Sequence, residues 1–164
     1  MKTEQRFSAA YLAQGGVIAA FYVALTVAFA AISFGPIQFR ISEALVILPV
    51  FTPAAIPGVT LGCFLSNLLA GAPVMDVVFG TAATLLGAIG TRMLRGNKLL
   101  SWIPPVISNG LIIPWVLKFA YHAEDLIPFM MLTVAIGEVL AVGVLGNLLR
   151  GALETRAASL FRGE

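Results

Sequence analysis

Carboxylates at Glu43, Asp76 and Glu138, a guanidinium at Arg40 and amides at Gln38, Asn67 and Asn109 all stand within or beside long apolar runs. Ionisable groups in such surroundings are costly and mark functional positions by default. Glu138, deepest in its run, needs a partner, a proton or a ligand. The chemistry these residue types offer is binding. No G-x-x-x-x-G-K-[ST] phosphate loop, G-x-S-x-G or H-E-x-x-H occurs. His122 is the single histidine and Cys63 the single cysteine, which leaves no zinc set, no internal disulfide and no Ser/His/Asp constellation. Neither a catalytic centre, a metal nor a cofactor is expected.

The elements that must position these groups follow from composition. Of the 164 residues, 59% are apolar and 11% charged, and mean hydropathy is +0.96. Soluble domains carry about 25% charged residues, so the chain reads as an all-α integral membrane protein. A net charge of +2 is too small to suggest nucleic acid. A membrane helix needs about 20 apolar residues, which allows about six crossings, over 15–34, 42–55, 57–71, 74–92, 99–120 and 126–149, in a single domain. The stretch from Ile41 to Val74 holds Pro49, Pro53 and Pro57. It is too long for one crossing and reads as two short helices turning at the prolines. Ala28-Phe29-Ala30 has the form of a leader cleavage site, but the run before it is long for a leader.

Charge placement supports six crossings. With the N-terminus inside, Lys2, Arg6, Arg92, Arg95, Lys98, Arg150, Arg156 and Arg162 fall inside, and only Arg40 and Lys118 outside. Basic residues gather on the cytoplasmic side; a single crossing through the proline stretch would move Arg92, Arg95 and Lys98 out. In this layout Glu43, Asn67, Asp76 and Asn109 lie in the outer half. Glu138 lies about 18 Å into the last span at 1.5 Å per residue. That asymmetry suggests a cavity open to the outside. Trp115, Phe79, Tyr121 and Phe129 near the same level could stack on a planar ligand or serve as an interfacial belt. Asn67 and Asn109 could instead bond helix to helix, and Glu43 and Asp76 could serve as first-turn acids. In IPPVISNGLIIPW (103–115), Pro104, Pro105 and Pro114 are expected to bend the helix around Asn109-Gly110.

Gly16, Ala20, Ala24 and Ala28 recur at every fourth position of the first span. Such a stripe lets membrane helices approach closely, either within the chain or against another membrane protein.

These features resemble the substrate-binding S components of energy-coupling-factor (ECF) transporters, most closely the queuosine-precursor type, QueT. The resemblance covers nearly the whole chain. It is most specific in QFRISEAL (38–45) and LPVFTPAAIPGVTLGCFLSNLLAG (48–71). It implies a six-helix bundle in the prokaryotic plasma membrane, with both termini cytoplasmic and an outward solute site. It also implies docking through the small-residue stripe to a transmembrane coupling subunit driven by two cytoplasmic ATPases. The implied ligand is a 7-deazaguanine such as preQ0, preQ1 or queuine. Gln38, Arg40, Glu43, Asn67, Asp76, Asn109, Trp115 and Glu138 are the candidate contacts. A guanine-like edge offers adjacent N–H donors to a carboxylate, Glu138 or Glu43, and a carbonyl to a donor from Asn67, Asn109 or Arg40. Alternatives are an S component for another planar heterocycle and a structural membrane protein without a ligand.

Overall fold

The structure, a computed structural model, describes residues 8–33 and 39–162. Ser8 caps the first helix, its side chain accepting from the Tyr11 amide, so α1 (Ala9–Ala28) begins ahead of the apolar run proper. A short turn of helix, α2 (Ala30–Ser33), ends the first segment. A ten-residue 3₁₀ helix then spans Ile41–Val50, followed by α3 (Ala55–Leu69). A π-helical turn at Asp76–Gly80 leads into α4 (Thr81–Met93). Next come α5 (Ile103–Ala120) and α6 (Ile127–Glu138), which passes through a π segment, Val139–Gly146, into α7 (Asn147–Arg162). No strand occurs among the described residues.

Among the described residues three helices are long and apolar enough to cross a membrane: Ala9–Ala28, Ile103–Ala120 and Ile127–Arg156. Ile41–Val50 and Ala55–Leu69 are shorter apolar helices. Large apolar side chains such as Leu12, Phe21, Leu69, Leu111 and Leu132 face outward. Buried positions include Arg40, Glu43, Asn67, Asp76, Asn109 and Glu138. An apolar exterior around an interior that holds these polar groups suits lipid as the surrounding solvent.

The bundle is built from close pairs. α1 lies on α3, α4 on α5, α5 on α6, and the 3₁₀ helix against the π segment Val139–Gly146. The α1–α3 seam depends on Gly62, where an added Cβ would come within 2.6 Å of Tyr22 Cβ. Tyr22, Val46, Val59, Cys63 and Ala88 form one apolar cluster there. Ala83, Ile113, Leu117, Met130 and Val134 form a second between α4, α5 and α6.

The prolines of α5 differ from the expectation. Pro104 and Pro105 stand in its first turn, where a missing amide hydrogen leaves no intrahelical bond unmade. Only Pro114 is interior. On the opposite side, Arg92 Nη1 donates to the carbonyls of Pro49 (2.9 Å) and Val50 (3.2 Å) and closes the end of the 3₁₀ helix. Arg150 Nε bonds Glu154 Oε1 at 2.9 Å, and Lys98 Nζ bonds Glu154 Oε2 at 2.5 Å, tying the final helix to the α4–α5 connection. Arg150 and Glu154 stand four residues apart, on one face of α7.

Candidate functional site

The 3₁₀ helix carries Glu43 in its first turn, and Arg40 stands just before it. α5 brings Asn109, and α6 ends at Glu138. These four side chains, with Ile113 and Val134, line one cavity. Its free volume is about 10 Å³, enough for about one water molecule. All four polar residues are at least nine-tenths buried.

Glu43 is oriented by two other helices. Tyr22 Oη of α1 donates to its Oε1, as does Thr84 Oγ1 of α4 at 3.2 Å. Its Oε2 has no partner. Glu138 Oε2 and Asn109 Nδ2 are equally without one. A buried acceptor or donor left unmade costs about 1–3 kcal/mol, more when charged. Two carboxylate acceptors and one amide donor are therefore available to whatever enters.

A second layer stands behind Arg40. Its Nη2 pairs with Asp76 Oδ2 at 3.3 Å, both residues buried. Tyr121 Oη donates to the same oxygen at 2.7 Å. Burial, then the bond to Asp76, raises the Tyr121 phenol above its ordinary pKa, so it stays protonated as the donor. Asn67 Nδ2 donates to the Asp76 carbonyl at 3.2 Å. Gly80 leaves room for this: a Cβ there would meet Asp76 Oδ1 at 2.6 Å and Asn67 Nδ2 at 3.2 Å. Asp76 and Asn67 thus brace Arg40 without lining the cavity.

Trp115 stands apart. It is 45% exposed and stacks on Phe119 with centroids 6.2 Å apart. Phe79 and Phe129 also face outward. Gln38 lies outside the described residues. Tyr22 and Thr84 were not among the expected site residues, and Tyr121 enters as a hydrogen-bond donor and not as a stacking ring. Beyond its helical spacing nothing in the sequence singles out Tyr22. Ala19, Tyr22 and Thr26 recur at helical spacing, and all three are buried. Thr26 Oγ1 bonds Ser42 Oγ at 2.7 Å, a second tie from α1 to the 3₁₀ helix.

The stripe of Gly16, Ala20, Ala24 and Ala28 is on the other side of α1, exposed. It floors a groove of about 670 Å³ whose far wall includes Leu61 and Leu65 of α3. The described fold leaves that face of α1 uncovered.

What the site can do is hold a polar ligand by fixed acceptors and donors. No ordinary nucleophile–base pair is among its groups. Among the described residues no cluster of histidine, cysteine and acids could hold a metal ion.

Comparison with known proteins agrees with a transport role. Over 72 residues the chain is 46% identical to the queuosine precursor transporter QueT of Lactococcus lactis subsp. cremoris (strain MG1363), an alignment covering 43% of this chain and 42% of that protein. The chain thus spans less than half the length of that relative in the matched region. No solved structure matches the chain. The model of the QueT transporter family matches residues 12–155, and with that extent of match the chain belongs to the QueT transporter family, a family of membrane transport proteins and not of enzymes.

Proposed function

We propose that the chain is the substrate-binding S component of an ECF importer and captures a queuosine precursor, a 7-deazaguanine such as preQ0, preQ1 or queuine, from outside the cell. The observation that carries this reading is the cavity shared by Arg40, Glu43, Asn109 and Glu138, with one unbonded polar atom on each of the last three. A deazaguanine edge presents adjacent N–H donors that a buried carboxylate accepts in pairs, and a carbonyl that an amide or guanidinium can meet. The family membership and the name of the Lactococcus relative point to the same ligand class. A bicyclic ring needs far more space than one water, so the 3₁₀ helix, α5 and α6 part to admit it.

In this reading the chain crosses the plasma membrane six times with both ends in the cytoplasm. The exposed stripe of α1 docks on a transmembrane coupling subunit, and two ATPases supply the energy that this chain, without a phosphate loop, does not.

Isothermal titration of the purified protein with preQ0, preQ1 and queuine tests the reading. Nanomolar-scale binding of at least one is expected. Glu138→Gln should weaken it about 10- to 100-fold, as expected for a charge-assisted hydrogen bond worth about 1.5–3 kcal/mol. No binding of any of the three would sink the assignment.

A further inference from the structure

The site holds an excess of negative charge. Glu43 and Glu138 face one cavity with room for about one water, at 2% and 6% exposure, and each keeps Oε2 unbonded. Charged and titratable groups approach this pair from each packed element: Arg40 before the 3₁₀ helix, Tyr22 from α1, Cys63 from α3, Asp76 ahead of α4 and Tyr121 after α5. Lys118 of α5 is turned to the carbonyls of Ala123, Glu124 and Asp125. Within this cluster Arg40 is the one cation among the described residues, and it is ion-paired with Asp76. With all four charged groups ionised, one positive and three negative charges leave −2. Two carboxylates sharing a small buried space resolve such a conflict by taking up a proton between them or by gaining a cation.

We infer that Glu43 and Glu138 hold one proton between them and that the ligand group suited to this cavity is a primary ammonium, which replaces that proton. The inference rests on the deazaguanine reading above and narrows it to the cationic members of that class. On binding, the carboxyl O–H bond breaks and its proton leaves to solvent. The ammonium N–H groups donate to the two freed carboxylate oxygens. Site charge is −1 before and after, so the exchange leaves no new uncompensated charge buried. A neutral ligand leaves the proton in place. The sign of the linkage follows: the loaded site binds one proton fewer, so affinity for the cation rises with pH, about tenfold per unit where the pair still holds its proton, and levels off above that range.

Titration of the full chain with 7-aminomethyl-7-deazaguanine and 7-cyano-7-deazaguanine, over a pH series and in two buffers of different ionisation enthalpy, separates the cases. The aminomethyl compound is expected to release about one proton and to show the rising profile, and the cyano compound to do neither. Glu138→Gln should remove both the release and the slope, and Glu43→Gln does the same from the other side should one variant fail to fold. Equal heats in the two buffers with a flat profile would overturn the inference. Infrared difference spectra of the ligand-free chain give an independent readout: a protonated-carboxyl band, shifted by deuteration and lost in either variant. Absence of that band overturns the shared proton whatever binds. Binding of neither compound with the band present overturns the deazaguanine reading and supports the shared proton.

Discussion

Glu43 is gripped at one oxygen by Tyr22 and Thr84 and left open at the other. That division of labour makes Tyr22 a positioning residue: it belongs to α1, lies fully buried and does not line the cavity. Its hydroxyl fixes which way the free oxygen points. Tyr22→Phe keeps the ring that packs on Gly62 but removes the donor, at a cost of about 1.5–3 kcal/mol for a bond to a charged group. Ligand affinity should fall roughly tenfold or more while the helical content is unchanged, a comparison read by titration calorimetry and circular dichroism together. Affinity equal to the parent's would show that Thr84 alone suffices. The same residues show what a sequence exposes. Glu43 and Glu138 stand out because a carboxylate among leucines and valines has no cheap solvation. Tyr22 and Thr84 do not, since hydroxyls are common in membrane helices and their partners lie far away in sequence. Trp115 has the type and depth of a site residue, but its place around α5 turns it outward, beside Phe119.

Each acid of this buried cluster lies in or next to a departure from α-helical winding. Glu43 sits in the 3₁₀ helix, Asp76 opens a π turn, and Glu138 directly precedes the π segment Val139–Gly146. Such segments recur at functional positions because they re-aim side chains off the regular spacing. Periodicity does not disclose them: these runs are apolar nearly throughout, so they carry no alternation from which a winding could be read. The existence and order of the helical segments were legible from the apolar runs; their winding, which sets where the acids point, was not. α1 offers a test of how an element divides its work between faces. On the buried face, Gly62→Ala drives a Cβ into Tyr22, an overpacking that typically costs about 1–3 kcal/mol. Lower thermal stability and weaker ligand binding should appear together. On the exposed face, Ala24→Trp fills the groove against Leu61 and Leu65. Ligand binding should persist, and copurification with the proposed coupling subunit and uptake should be lost. Copurification unchanged by the tryptophan would remove α1 as the docking element.

At the scale of the molecule, the 3₁₀ helix bears on how often the chain crosses the bilayer. Ten α-helical residues span about 15 Å at 1.5 Å per residue, whereas Ile41–Val50, wound at about 2.0 Å per residue, spans about 20 Å. Ala55–Leu69 reaches about 22 Å. Both fall short of a hydrocarbon core about 30 Å thick, a mismatch that local thinning of the bilayer accommodates. Counting only the three long helices, Ala9–Ala28, Ile103–Ala120 and Ile127–Arg156, gives a different protein. With the N-terminus inside, three crossings place the α4–α5 connection outside and the α5–α6 connection inside. Six crossings place them the other way, with Arg92, Arg95 and Lys98 on the cytoplasmic side, as positive charge prefers. Gly96 and Glu124 mark these two connections. Both are exposed, and a Cβ at Gly96 meets nothing within 4 Å. Cys63 is fully buried, so it stays silent to an aqueous thiol reagent. In intact cells a membrane-impermeant maleimide should label Glu124→Cys at once and Gly96→Cys only after permeabilisation. With the N-terminus shown to be inside by the same labelling at a cysteine placed there, the reverse pattern would establish three crossings and put Arg40 and Glu43 on a segment that does not span the membrane. The observed pair of accessibilities therefore decides whether the cavity between the 3₁₀ helix, α5 and α6 is a site reached from outside.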